Sequence, residues 1–111
     1  MVGIQDSVNK HIQRMVELIV AQFQPEKVIL FGSHARGDGT ADSDVDLLVV
    51  MPVAGSKRAR QVAIRCALDD IRVPKDIVVV TPEEAERLRD IVGTIVRPAL
   101  REGRELYAKP K

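Results

Sequence analysis

Three short runs of branched apolar residues constrain this chain most: KVILF at 27–31, DVDLLVVM from Asp44 to Met51, and KDIVVV at 75–80. Each is too short for a stable helix, is rich in Val, Ile and Leu, and is bounded by breakers, so each predicts a buried strand. Pro25 precedes the first, a glycine-rich loop over 32–43 divides the first from the second, and Pro52 with Gly55 stops the second. Around them the apolar period is helical. From Asp6 to Phe23 the positions Val8, Ile12, Met15, Val16, Ile19, Val20 and Phe23 share a face, and Ile64, Ala67, Leu68 and Ile71 do the same between Ser56 and about Ile71. Thr81-Pro82-Glu83-Glu84 has the chemistry of a helix start: a hydroxyl cap, proline at the first position and acids in the first turn. A further helical stretch, interrupted at Gly93, reaches about Glu102 and ends at Gly103, and RELYA at 104–108 predicts a last short strand.

With one helical turn inside the 32–43 loop, the element order is α-β-α-β-α-β-α, which predicts an α+β fold: a small mixed β-sheet with helices packed on one face. The 12-residue loop 32–43 is near the minimum for a parallel crossover, so parallel and antiparallel pairing of the first two strands both remain open. At 111 residues the chain reads as a single domain, 1–111. A formal net charge of +1 gives no reason to expect direct nucleic-acid binding or membrane adhesion. The single cysteine, Cys66, excludes an internal disulfide framework. No signal-peptide pattern or long apolar run is present, so a cytoplasmic address is expected.

Aspartate is depleted in strands, yet Asp44 and Asp46 head the second run and Asp76 stands at the head of the third. In an extended backbone Asp44 and Asp46 point to the same side, their Cα atoms about 6.6 Å apart. Two carboxylates at 4 Å repel by about 4 kcal/mol at an effective dielectric near 20, which a shared proton or a divalent cation would offset. Mg²⁺ suits such a site, because it takes a few carboxylates and completes its shell with water and phosphate oxygens. Behind each acid the strand is wholly apolar, so the acids are gathered at strand starts rather than spread over a polar face. Acids at strand ends also serve turns, and Asp44 alone would be read that way.

The loop changes the balance. Gly32 and Ser33 directly follow the first strand, where a glycine at positive φ brings backbone N–H groups close to an anion and a serine hydroxyl can hold a phosphate oxygen. Arg36 adds a guanidinium fork suited either to phosphate or to one of the acids.

Taken together, FGSHARG, SDVDLLVV and KDIVVV resemble the nucleotidyltransferase superfamily typified by DNA polymerase beta. The Gly-Ser-x-Ala-Arg-Gly and Ser-Asp-x-Asp-Leu forms are similar to its minimal nucleotidyltransferase (MNT) group, whose small prokaryotic members are often paired with a helical HEPN protein. The resemblance implies that Gly32 and Ser33 hold a nucleotide triphosphate and that Arg36 belongs to the same nucleotide-binding loop, touching phosphate or bracing the loop. It implies that Asp44, Asp46 and Asp76 are catalytic and bind two Mg²⁺ ions, and that Asp76 also helps draw the proton from the attacking hydroxyl. It further implies ATP as substrate, a HEPN-type ribonuclease toxin as partner in a hetero-oligomer, and an antitoxin activity that transfers AMP to a hydroxyl of that toxin, a tyrosine above all. A contact-only inhibitor and a small-molecule nucleotidyltransferase are the other readings weighed.

Four further features have plainer expectations. His34 is expected as a solvated loop residue and His11 on the exposed flank of the first helix. Cys66 is expected to pack within its helix, and Tyr107 to pack in the last strand. Lys57, Arg58, Arg60 and Arg65 form a basic helix face whose default is solvent.

Overall fold

The computed structural model describes residues 4–40 and 42–110. Its elements are α1 (Ile4–Phe23), β1 (Lys27–Phe31), the single turn α2 (Ser33–Arg36), β2 (Val45–Val50), α3 (Lys57–Ala67), β3 (Lys75–Val80), α4 (Pro82–Leu88), α5 (Val96–Glu102) and β4 (Arg104–Ala108). The strands form one sheet in the order β3-β2-β1-β4. β1 and β2 pair antiparallel, with Phe31 opposite Asp46, so residues 27–50 are a hairpin. β2 and β3 pair in parallel, with Asp46 opposite Asp76. A parallel pair needs a crossover, and α3 supplies it. β4 returns antiparallel along the outer side of β1, with a register shift between Val28 and Ile29.

Strand alternation divides the interior into two clusters. Val28, Leu30, Leu47, Val49, Ile77 and Val79 face α1 and α3, meeting Ile12, Met15, Ile19, Ile64 and Leu68. Ile29, Leu48, Val50 and Val80 point the other way and meet Val96 and Ala99 of α5, flanked by Ala85 and Leu88 of α4. The mixed α+β sheet is as expected, but the expected cover of one face is corrected: helices lie against both. Alternation alone shows why, since Leu48 and Val50 are as apolar as Leu47 and Val49, and each such side chain left in water would forfeit roughly 1.5–3 kcal/mol.

Local chemistry sets the helix ends. Ser56 caps α3 by accepting from the Ala59 N–H at 3.1 Å. Thr81 and Glu84 make a full capping box at α4: the Glu84 N–H donates to the Thr81 hydroxyl, and the Thr81 N–H donates to the Glu84 carboxylate. Lys57 closes this corner by pairing with the same Glu84 carboxylate from the start of α3. No helix among the described residues is long and apolar enough to cross a membrane.

Candidate active site

β1 ends where β2 and β3 begin, and that end of the sheet carries the acids. Asp46 and Asp76 are register partners on adjacent parallel strands, whose backbones run about 4.8 Å apart. Both lie on the face of Leu48 and Val50, the side that α4 and α5 cover farther along the strands. β2 starts at Val45, so Asp44 stands one residue ahead of the strand rather than inside it. Asp44 and Asp76 are exposed and Asp46 is half-buried. Asp46 therefore bears the strain: burial raises its pKa above the ordinary 3.8, repulsion from Asp76 and then Asp44 adds to the rise, and attraction to His34 and Arg36 opposes it. Asp76 has a countercharge of its own, the guanidinium of Arg65 reaching from α3 to within 3.4 Å of Oδ1.

The turn after β1 is folded onto this strained acid. Gly32 has φ of 78° and precedes α2, and a Cβ placed there would collide with Oδ2 of Asp46. Glycine is required twice at this point, for the backbone conformation and for the approach of the carboxylate. Ser33 opens α2, and its carbonyl accepts from the N–H groups of Gly37 and Asp38. Farther on, Thr40 and Ser43 bind each other through backbone and hydroxyl, which closes the loop just before Asp44. Gly32, Ser33, Asp44, Asp46 and Asp76 are thus brought to one end of the sheet. Arg36 is exposed and pairs with Asp38 at 3.5 Å, bracing the loop.

His34 corrects the expectation of a solvated side chain. It is 2% exposed, and its Nε2–H donates to the carbonyl of Ser43 at 3.1 Å. The signal that could have found it is Gly39, since a histidine inside a loop needs a backbone without a Cβ to lie against. A methyl at Gly39 would stand 2.5 Å from Nδ1. Cys66 also departs from expectation, being exposed because α3 turns Ile64 and Leu68 inward. His11 is exposed and Tyr107 packs half-buried against the main core, both as expected.

Among the described residues no three His, Cys, Asp or Glu side chains form a ready-made cage for a metal ion. The donor set nevertheless fits a divalent cation that keeps water and phosphate oxygens in its shell, because a half-buried carboxylate whose proton affinity is raised by burial and by two neighbouring acids is what such a cation relieves. Two hollows lie elsewhere, about 370 Å³ beneath α4 and α5 and about 390 Å³ between α1 and β4.

A small mixed sheet that sets a Gly-Ser turn against an Asp-x-Asp strand, with a third acid on the neighbouring parallel strand, is the architecture of an enzyme that moves nucleotidyl groups. The chain belongs to the nucleotidyltransferase domain family, whose match spans residues 9–107. It is 33% identical over 102 residues to a protein of Methanocaldococcus jannaschii named "Putative protein adenylyltransferase", a match covering 88% of this chain and 96% of that one. Among solved structures it is similar to "a putative nucleotidyltransferase from Sulfolobus solfataricus" (TM-score 0.67, 23% identity, 95% of this chain and 84% of the other). It is also similar in fold to a toxin–antitoxin structure with AMP-PNP (TM-score 0.59, 19% identity, 87% and 73%).

Proposed function

We propose that this chain is a single minimal nucleotidyltransferase domain that transfers AMP from ATP to a hydroxyl of a partner protein, and so acts as the antitoxin of a toxin pair. The observation that carries this reading is the carboxylate of Asp46 set against the Gly32 backbone, with Asp76 its register partner on β3, Asp44 two residues before it, and burial and both neighbouring acids raising its proton affinity. The relative named as a protein adenylyltransferase supports the reaction class, and the toxin–antitoxin neighbour with AMP-PNP supports both the adenine nucleotide and the kind of partner.

In the proposed reaction the acceptor oxygen forms a bond to the α-phosphorus, the bond from that phosphorus to the bridging oxygen breaks, and pyrophosphate leaves. Gly32 and Ser33 hold the triphosphate through backbone N–H groups and the hydroxyl, and Arg36 keeps their loop in shape through Asp38. Asp44, Asp46 and Asp76 would hold two Mg²⁺ ions, which when bound neutralise the phosphate and stabilise the entering and leaving oxygens. Asp76, at the exposed edge of the group, receives the acceptor's proton, with the Arg65 guanidinium 3.4 Å from its Oδ1. Positioning and charge neutralisation supply most of the catalysis in such transfers. A tyrosine of a HEPN-type ribonuclease toxin is the acceptor we favour.

The deciding experiment is intact mass spectrometry of the candidate toxin after incubation with this protein, ATP and Mg²⁺, beside an Asp44→Asn/Asp46→Asn control. A gain of one AMP or a multiple, absent in the control, is expected. An unchanged mass with the toxin still inhibited would replace this reading with inhibition by contact.

A further inference from the structure

We propose that His34 is a positioning residue that fixes the distance between the Gly32-Ser33 turn and the acids of β2. The proposal rests on the site assignment above and explains how the two halves of that site keep their register. Three observations meet in this side chain. It is 2% exposed although it lies in the loop that joins two strands. Its Nε2 is 3.1 Å from the carbonyl oxygen of Ser43, the residue immediately before Asp44. A carbonyl only accepts, so Nε2 carries a proton in this contact. Its Nδ1 is buried without a hydrogen-bond partner among the described residues and is covered by the backbone at Gly39, where a Cβ would stand 2.5 Å from Nδ1 and 2.8 Å from Cε1.

A buried polar atom without a partner costs stability, and the site keeps it. The return is mechanical. His34 belongs to α2, one residue beyond Ser33, while Ser43 leads directly into Asp44. The imidazole therefore ties the far end of the loop to its beginning, across nine residues, at the point where loop becomes strand. Without it the Thr40–Ser43 closure would still form locally and the pairing of Phe31 with Asp46 would still close the hairpin, but no other side-chain hydrogen bond among the described residues joins that closure to the turn. Such a tie matters because transfer depends on placement to within a fraction of an ångström.

The geometry separates variants atom by atom. The side-chain nitrogen of glutamine reaches the place of Nε2, whereas that of asparagine falls short, near Nδ1. Phenylalanine fills the volume without a donor. Gly39→Ala leaves the histidine in place but drives a methyl into its ring, so G39A should imitate loss of the pin.

The test uses the whole chain and two readouts: hydrogen exchange across residues 37–44, with β2 as internal control, and calorimetric binding of AMP-PNP with Mg²⁺. H34Q is expected to match the unmodified protein within about twofold in both. H34N, H34F and G39A are expected to exchange faster over 37–44, keep β2 protected, and bind nucleotide about tenfold more weakly, the loss expected of one buried hydrogen bond. G39A combined with H34A should be no worse than H34A alone, since the ring that the methyl strikes is gone. The proposal is overturned if H34Q behaves like H34F, if exchange over 37–44 is unchanged in H34F, or if the two substitutions add fully. Failure of the unmodified protein to bind AMP-PNP would count against the nucleotidyl-transfer reading instead, and the exchange pattern would still decide the role of His34.

Discussion

Two carboxylates at opposite ends of the same strands are held in opposite ways. Glu84, just beyond the end of β3, is surrounded by groups that favour its charge. Its pKa falls from 4.5 to about 2, chiefly through the hydrogen bond from Lys57 and then that from the Thr81 backbone. Asp46, near the start of β2, is half-buried, faces Asp76 and Asp44, and is pushed upward. Both are carboxylates, so the functional group does not separate them. What differs is whether the fold has supplied a strong countercharge, and the region where it has withheld one is the region to which we assign the nucleotide site.

The largest effect should come from exchanging charge for amide at each end. Asp46→Asn should abolish transfer by at least about 10²–10³-fold, the loss typical of removing one transition-state stabilising group, while raising the melting temperature measured without divalent ions. A D46N protein that melts lower than the original would break the contrast. Next comes Gly32→Ala, which introduces both a left-handed alanine and a collision with Asp46. Backbone strain alone should cost about 1–3 kcal/mol in chemical denaturation, with transfer lost as well. Third, Thr81→Ala should cost about 1 kcal/mol of stability through the lost cap and leave transfer intact, which a parallel unfolding and activity assay would check.

The smallest effect is the pH profile, where the two acids have opposite signs. Glu84 has a depressed folded pKa, so its stabilisation is present above pH 4.5 and disappears as pH falls toward about 2. Asp46 has a raised folded pKa, so between 3.8 and that raised value the folded state binds more protons and stability declines as pH rises. Unfolding free energies measured from pH 2 to 7 should therefore lose their acid limb in E84Q. In D46N they should lose the opposing slope, and Mg²⁺ should flatten that slope only while Asp46 is present.

Much of the architecture was legible where short-range chemistry decides it. KVILF, KDIVVV and RELYA became β1, β3 and β4 with the expected bounds, because branched runs between breakers have few alternatives. The α4 cap was legible because Thr81 and Glu84 need only each other. The Gly-Ser turn and the strand-initial acids were legible as a pattern, since their spacing follows from alternation along a strand. Tertiary facts were not. The direction of β1 against β2 depends on which edges meet, and the packing of α4 and α5 on the second face depends on a path that no local signal encodes. His34 was misjudged for the same reason: its burial is made by Gly39 and Ser43, five and nine residues away, through contacts that helical or strand periodicity does not report.

The hairpin of β1 and β2 also orders the enzyme in time. The phosphate turn and Asp46 adjoin within one contiguous stretch, so they can meet as soon as residues 27–50 exist as chain. Asp76 joins only after α3 has crossed over and β3 has aligned beside β2. During synthesis the emerging chain would first carry Asp44 and Asp46 without Asp76, so on the site proposed above it would stay silent until β3 is in place.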